Sequence, residues 1–466
     1  IPIRRIMRTE KHPIIMAGGP CAVNSVTLNE VVDMFIIGEA EEVINEVLDL
    51  YEDIKKEGLS KDYFLRKATQ IEGVYVPKYH DLKKKVRKRI IKDLNNVSFP
   101  TNPIVPYLNI VHDRASLELF RGCIRGCRFC QAGFIYRPVR EKKASTLIAQ
   151  TEKILCETGY DEIGMVSLST SDFSDLKTLC DGMLEHTEKR MVNLSVPSMR
   201  IDNFSIDLMK KIQKVRKSGL TFAPEAGSQR LRDVINKNIT EEEILNSARI
   251  AKEGGYDSIK LYFMLGLPTE TDEDVIAIAD LAKKILDVFG RKSRINITVS
   301  TSFFIPKPFT PFQWCSQISK EEMIRRQKLL KSHMQDKKIK YNWHEFDTSI
   351  VESAISRGDK TIGEVIIKAW EKGCKFDSWN EFFNMEKWVE AFNDCSLDIY
   401  ECASRQIPID NELPWDFIDV GITKSFLKSE YDKAFKEKTT ENCRAKCSTC
   451  GIAKYKCGVC LENNQI

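Results

Sequence analysis

The residues best placed to do chemistry lie in one stretch, Arg121-Gly-Cys-Ile-Arg-Gly-Cys-Arg-Phe-Cys-Gln131. Cys123, Cys127 and Cys130 are separated by three residues and then by two. Glycines precede the first two cysteines, and the aromatic Phe129 precedes the third. A loop of this kind can aim three sulfurs at one centre. Three thiolates can hold three irons of a cubane 4Fe–4S cluster, whose usual protein ligation is four cysteines. The next cysteine in the chain is Cys156, inside an expected helix. One iron is then left open, and an open coordination position is what a catalytic metal site needs. The competing uses of the loop are a zinc site that borrows a remote ligand, or redox cysteines. Zinc in a structural site takes four tetrahedral ligands, and only three are local.

A second cysteine group closes the chain. Cys443, Cys447, Cys450, Cys457 and Cys460 fall within eighteen residues, with glycines after Cys450 and Cys457. Four of them make a pair of Cys-x2-Cys hooks, which suits a small zinc knuckle. Four could equally hold a second 4Fe–4S cluster, and redox disulfides are a third use. Cys443, Cys447 and Cys450 repeat the spacing of the first loop, which tilts the reading towards iron–sulfur. The other cysteines, at 21, 156, 180, 315, 374, 395 and 402, are scattered and expected to be buried apolar residues.

The elements that must position the first loop alternate in type. Strands are expected at 117–120, 163–168, 192–196, 219–223, 258–263 and 295–300. Helices are expected between them at 145–158, 174–190, 205–217, 239–254 and 271–289, the fourth opened by a Thr240-x-x-Glu243 capping box. Strands alternating with helices imply a parallel sheet closed or partly closed as a barrel. Chemistry in such sheets sits at the strand C-terminal ends, and the cysteine loop follows the first strand. The other strand exits carry Ser169-Thr-Ser-Asp172, then Ser195 and Arg200, then Glu225 between Pro224 and Gly227, then Met264 and Gly266. Asp172 would also serve as a helix N-cap. The segment 304–314, rich in Pro and aromatics, either lines an entrance or covers one end of the barrel.

Cys-x3-Cys-x2-Cys with Phe129 in its aromatic position resembles the cluster motif of the radical SAM superfamily. The resemblance implies a partial (β/α)6 barrel and a 4Fe–4S cluster on Cys123, Cys127 and Cys130. It implies that the open iron chelates the amino and carboxylate groups of S-adenosylmethionine (SAM). One electron from the cluster then cleaves the sulfonium to a 5′-deoxyadenosyl radical, which abstracts hydrogen from a substrate. It further implies SAM contacts by Phe129, Ser169, Asp172, Ser195, Arg200, Glu225, Met264 and Gly266. Ser169 to Asp172 stand where the family commonly has Gly-Gly-Glu. Gly266 lies in a Gly-Leu-Pro turn similar to that of many members, and glycine there permits close approach of backbone to adenine.

The front of the chain reads as part of a doubly wound α/β domain, with strands at 12–20 and 31–37 and a helix at 42–52. Gly18-Gly19-Pro20 and Gly38-Glu39-Ala40-Glu41 resemble the end of the cobalamin-binding-type domain that precedes many radical SAM barrels. The lower-ligand motif Asp-x-His-x-x-Gly is not in this sequence, so no cobalamin is expected in the chain as it stands. The chain starts at Ile1 in mid-domain, and an N-terminally truncated fragment is expected. The lysine- and arginine-rich run 83–89 reads as a solvated edge strand, or alternatively as an RNA or phosphate contact.

The expected organisation is a partial cobalamin-binding-type domain and connector at 1–95, a linker at 96–115 and the barrel at 116–335. A mainly helical extension at 336–440 and the cysteine tail at 441–466 follow. At 42% hydrophobic and 30% charged, the 466 residues have ample material for a core. A net charge of +4 gives no argument for nucleic-acid binding by bulk charge. No apolar run is long enough to span a membrane, and clustered thiolates imply a reducing compartment, hence the cytoplasm. The expected activity is reductive SAM cleavage followed by hydrogen abstraction, with methyl or methylthio transfer as the outcome class. The substrate is RNA, protein or a small molecule, and the electron donor a flavodoxin or ferredoxin. The alternative is a non-catalytic iron–sulfur or zinc protein acting as scaffold, electron carrier or RNA-binding module.

Overall fold

The computed structural model describes residues 1–81, 83–108, 110–196, 220–290 and 292–462. At the front, β1 (Met16–Ala17) runs parallel to β2 (Met34–Ile36), and β2 is antiparallel to β3 (Val74–Tyr75). The helix Val43–Lys56 buries Val43, Val47 and Ile54 at helical spacing against this sheet. Ser60 caps the next helix, Lys61–Ala68, by accepting from Tyr63 N. The paired strands are shorter than the apolar runs that announce them. The chain leaves Gly18-Gly19 into a 3-10 segment, Pro20–Leu28, whose Ala22, Val23 and Val26 are buried.

The lysine- and arginine-rich run is a solvated edge only in part: Lys83, Lys84, Lys85 and Arg87 are exposed, but Lys88 is buried. Within it, β4 (Val86–Arg87) pairs in parallel with a strand from the far end of the chain, introduced below as β14. Strand alternation then turns Val86 and Lys88 inward, and Lys88 is only 3% exposed. Its Nζ donates to the carbonyls of Ile135 (2.7 Å) and Arg137 (2.5 Å). Burial, reinforced by Arg140, pushes its ammonium down to about 7. Arg89, at the end of the run, pairs with Glu42 and Glu46.

The barrel begins at β5 (Ala115–Glu118). A small hairpin of β6 (Phe120–Arg121) and β7 (Arg140–Glu141) brackets the cysteine loop. Next come β8 (Glu162–Val166) and β9 (Asn193–Ser195), and β5, β8 and β9 form one parallel sheet. A second parallel sheet has the order β10 (Leu220–Glu225), β11 (Ser258–Leu265), β12 (Asn296–Phe303), β13 (Ile339–Trp343). All six expected strands are present, and β13 extends the row. Along β11, Ile259, Leu261, Phe263 and Leu265 are buried under the helices Glu241–Glu253 and Asp272–Phe289. Lys260, Tyr262 and Met264 alternate with them and face away from those helices. Both helices open with a capping box, Thr240 with Glu243 and Thr271 with Asp274.

The helices after β13 share a core with the second sheet: Ile350, Val365, Trp388 and Ile399 pack with Ile259 and Val299. Within this helical extension the helix Met385–Asp394 opens at Asn384, which caps it by accepting from Lys387 N. Last come β14 (Ile418–Asp419), paired with β4, and the helix Lys424–Ala434. Among the scattered cysteines, Cys180, Cys315 and Cys374 are buried as expected, whereas Cys21 and Cys156 are exposed.

One buried cation ties this late helix to the cysteine loop. Arg128 is 0% exposed. Its Nε and Nη2 lie 3.2 and 3.1 Å from Glu430 Oε2. Its remaining donors reach the carbonyls of Val234 (2.9 Å), Asp233 (3.1 Å) and Lys438 (2.6 Å). Removing one partner of a buried pair leaves the other charge uncompensated. Glu430→Gln is therefore expected to lower stability by about 3 kcal/mol, read as a shift in the urea midpoint at unchanged slope.

Candidate functional site

The cysteine loop leaves β6 through Gly122 at φ +90°. A Cβ there would lie 2.7 Å from the Pro138 carbonyl oxygen and 2.9 Å from that of Tyr136, so only glycine fits. Cys123, Cys127 and Cys130 are all half-buried. Cys130 N donates to Cys127 O (3.1 Å), and Arg125 N lies 3.4 Å from Cys123 Sγ. The loop is held on every side. Arg128 N donates to Ile235 O (3.0 Å), and Asn236 Nδ2 to Gly126 O (3.0 Å). Arg137 Nη2 donates to Arg125 O (2.8 Å), and its Nε to Gly133 O (3.0 Å).

Burial pushes the Cys123 thiol up to about 12 and the Cys130 thiol up to about 11, with Cys127 adding to both. A bound metal would draw the protons off such thiols. The donor set is purely thiol, which suits iron–sulfur chemistry. Among the described residues, no group of three or more His, Cys, Asp or Glu is arranged to hold a single metal ion. Three thiols on one loop are the donor set that a cluster with one open iron would need.

The strand ends divide into residues that face the loop and residues already engaged elsewhere. Glu225 ends β10 at φ +68°, an uncommon backbone for a non-glycine residue. Its Oε1 pairs with Lys237 Nζ at 3.2 Å, and both charges act on Cys130. Phe129 and Met264 pack on the same apolar group as Ala226, Leu267 and Phe304. Ser195 ends β9 opposite Gly164, on the same face as Glu118 and Val166. Arg200 lies outside the described residues.

Ser169, Asp172 and Gly266 have partners within the protein. Ser169 Oγ donates to Asp172 Oδ2 (2.7 Å), and Arg125 Nε donates to the same oxygen (3.0 Å). Their oxygens thus hold the cysteine loop onto the exit of β8 instead of standing free for an ammonium group. Gly266, at φ +83°, makes room for Ile318, whose side chain a Cβ would meet at 2.8 Å. Its N–H donates to the buried Glu270 (2.7 Å). The close approach expected for adenine is thus made to protein. The segment 304–314 is a buried seam and no entrance: Phe304, Phe309, Phe312 and Trp314 are buried, and Gln131 Nε2 donates to Pro308 O (3.2 Å).

A cavity of about 600 Å³ opens beside Gly122, between Glu39, Glu41 and Ile44 of the front unit and Glu118, Phe120 and Val166 of the barrel. Arg121 bridges its walls, with Nε 2.8 Å from Glu118 and Nη2 2.5 Å from Glu41. Arg140 makes a two-pronged pair with Glu39, 2.7 Å at each prong. Sequence reasoning did not single out Arg121, Arg125, Arg128, Arg137 or Arg140 as site residues. Their one signal is the density of arginines on both sides of the cysteines.

The cysteine tail lies against the loop. Cys443 N donates to Ile124 O (2.9 Å), and Val459 N to Val139 O (3.0 Å). Arg444 Nη1 donates to Asp172 O (2.5 Å). Cys443, Cys447, Cys450 and Cys460 line one small cavity. Cys457 is not among its lining residues, and its electrostatic neighbours are Arg140, Lys92, Glu39 and Lys88.

Residues 1–77 match the family model described as "Radical SAM proteins, N-terminal", and residues 117–282 match "Radical SAM superfamily". An uncharacterised protein of Methanocaldococcus jannaschii is 30% identical over 395 residues, covering 84% of this chain and 82% of that protein. A second protein of that organism, provisionally named a methylthiotransferase, is 25% identical over 59% of this chain and 58% of its own length. Among solved structures, the SAM-dependent methyltransferase TsrM of Kitasatospora setae, with cobalamin and a [4Fe–4S] cluster bound, is similar at 14% identity and a TM-score of 0.44. That likeness covers 64% of this chain and 58% of TsrM. With its three-cysteine loop at the mouth of a parallel-stranded barrel and both family models matched in order, the chain belongs to the radical SAM superfamily.

Proposed function

We propose that this chain is an enzyme that binds a 4Fe–4S cluster through Cys123, Cys127 and Cys130 and cleaves SAM reductively. The observation that carries the reading is the loop itself: three half-buried thiols, fixed by backbone and arginine contacts, at the C-terminal edge of the barrel. When bound, the cluster supplies the electron that breaks the SAM sulfonium bond and yields a radical able to abstract hydrogen.

The protein's own residues bind, orient and exclude water. Glu225 and Ser195 are the polar groups offered to SAM, and Phe129 and Met264 give it an apolar wall. Arg200 is kept as a further candidate from the sequence. Arg125, Ser169 and Asp172 position the loop. The cavity beside Gly122 receives the substrate, with the Glu39–Arg140 and Glu41–Arg121 pairs fixing its front wall.

The outcome class is methyl or methylthio transfer, suggested by the name of the second relative, and the substrate is RNA, protein or a small molecule. A flavodoxin or ferredoxin in the cytoplasm would supply electrons. No described helix is long and apolar enough to cross a membrane. The cysteine tail is a second metal centre, a cluster or zinc.

Anaerobic reconstitution with iron and sulfide, followed by dithionite and SAM, is expected to give 5′-deoxyadenosine, measured by chromatography. Cys127→Ala is expected to abolish it. A loaded cluster with no product would sink the enzyme reading in favour of a scaffold or electron carrier. Glu225→Gln is expected to raise KM for SAM roughly tenfold or more through loss of a charge-assisted contact, with a smaller change in kcat.

A further inference from the structure

The tail holds five cysteines, yet the fold does not treat them alike. Cys443, Cys447, Cys450 and Cys460 come from two segments joined by a tight turn and line one cavity. The turn depends on glycines. Gly451 sits at φ +100°, where a Cβ would lie 3.0 Å from the Gly421 carbonyl oxygen. Gly458, at φ +63°, would drive a Cβ to 1.9 Å from the Val139 carbonyl oxygen. This contact is what swings Cys460 towards the first three cysteines while Cys457 stays on the side of Lys88 and Arg140. The two Cys-x2-Cys hooks of the sequence are therefore not the unit that the fold assembles.

A second, independent observation points into the same place. Arg137 is buried, and its guanidinium lies beside Cys443 and Cys450. Nε and Nη2 donate to backbone carbonyls, the buried Nη1 has no nitrogen or oxygen acceptor, and the remaining side-chain contact of the guanidinium is with Cys450. A buried, charged donor that meets only a neutral thiol is costly. An anionic group held by the four sulfurs would supply both the acceptor and the countercharge.

The sulfurs also discriminate between the two kinds of metal. Zinc draws four thiolates to about 2.3 Å from one point, whereas here the four sulfurs line a cavity. A cubane spreads its ligands over four corners and accepts a wider ring. It is bound by four cysteines, which is the number on this cavity.

We propose that Cys443, Cys447, Cys450 and Cys460 hold a second 4Fe–4S cluster, fully ligated by cysteine, with Arg137 as its buried counter-ion and Cys457 outside the ligand set. Having no open iron, this cluster does not bind SAM. It sits behind the first loop, joined to it by the Cys443–Ile124 backbone bond and by Arg137, which grips Arg125 and Gly133.

The test separates this site from SAM chemistry. The full chain carrying Cys123→Ala, Cys127→Ala and Cys130→Ala together is reconstituted anaerobically, and iron, sulfide and zinc are measured. The expected result is roughly four irons and four sulfides per chain, with a reduced spectrum indifferent to SAM. Adding Cys460→Ser is expected to remove them, and adding Cys457→Ser to leave them. Zinc in place of iron, or loss with Cys457→Ser and retention with Cys460→Ser, would overturn the proposal. Should the triple variant not fold, the same comparison is made on the otherwise native chain. Cys460→Ser should then lower iron from roughly eight to roughly four, and Cys457→Ser should leave it unchanged. The reverse, or roughly four irons in the unsubstituted chain, contradicts the assignment. Failure of SAM cleavage would leave these iron counts standing, so the two readings fail separately.

Discussion

The structure depends on the buried contact between Arg128 and Glu430. A guanidinium with no exposed surface sits between the second and third cysteines of the loop and meets a carboxylate three hundred residues later in the chain. Taking two charges out of water is expensive unless every donor is satisfied. Here the arginine also reaches three carbonyls, and Glu430 is further bonded by Lys433 and Thr440. The helix Lys424–Ala434 thus braces the cysteine loop from the far end of the chain.

The same logic recurs around the loop. Arg125 is held by Asp172, Asp172 is backed by Arg444 of the tail, and Arg137 links the loop to the tail cysteines. On the other side, Arg121 and Arg140 bind Glu41 and Glu39 of the front unit. Arginine suits this work because its planar fork serves several acceptors at once. Barrel, front unit and tail thus meet on one short segment, and each contributes charge to fix it. A preorganised loop is what a cluster needs if SAM is to reach one iron and water is to be kept from the rest.

Much of this was legible in the sequence, and the reasons are physical. The strands of the barrel announce themselves by apolar runs that alternate with helices, and the capping box expected at Thr240 is in place. The cysteine spacing pointed to the family. Buried cations were not legible: Lys88 lies in a run of lysines and arginines, and only its partner strand β14, far along the chain, reveals that it points inward. Arg128 and Arg137 read as ordinary polar residues for the same reason. Ser169 and Asp172 looked like ligand contacts because the partner that engages them, Arg125, is remote in sequence. For the segment 304–314 the sequence left an entrance and a cover open, because proline and aromatics stiffen a covered seam as well as an exposed one. The spacing of the tail offered two hooks, and the glycine contact at Val139 that separates Cys457 from Cys460 is a property of the fold alone.

The central claim is that the loop of Cys123, Cys127 and Cys130 presents an iron with an open position to SAM. Electron paramagnetic resonance of the reduced, reconstituted protein tests this directly when spectra are taken with and without SAM. The account predicts that SAM reshapes one component of the signal and that Cys127→Ala removes that component. A reduced cluster whose spectrum is identical at saturating SAM would contradict it.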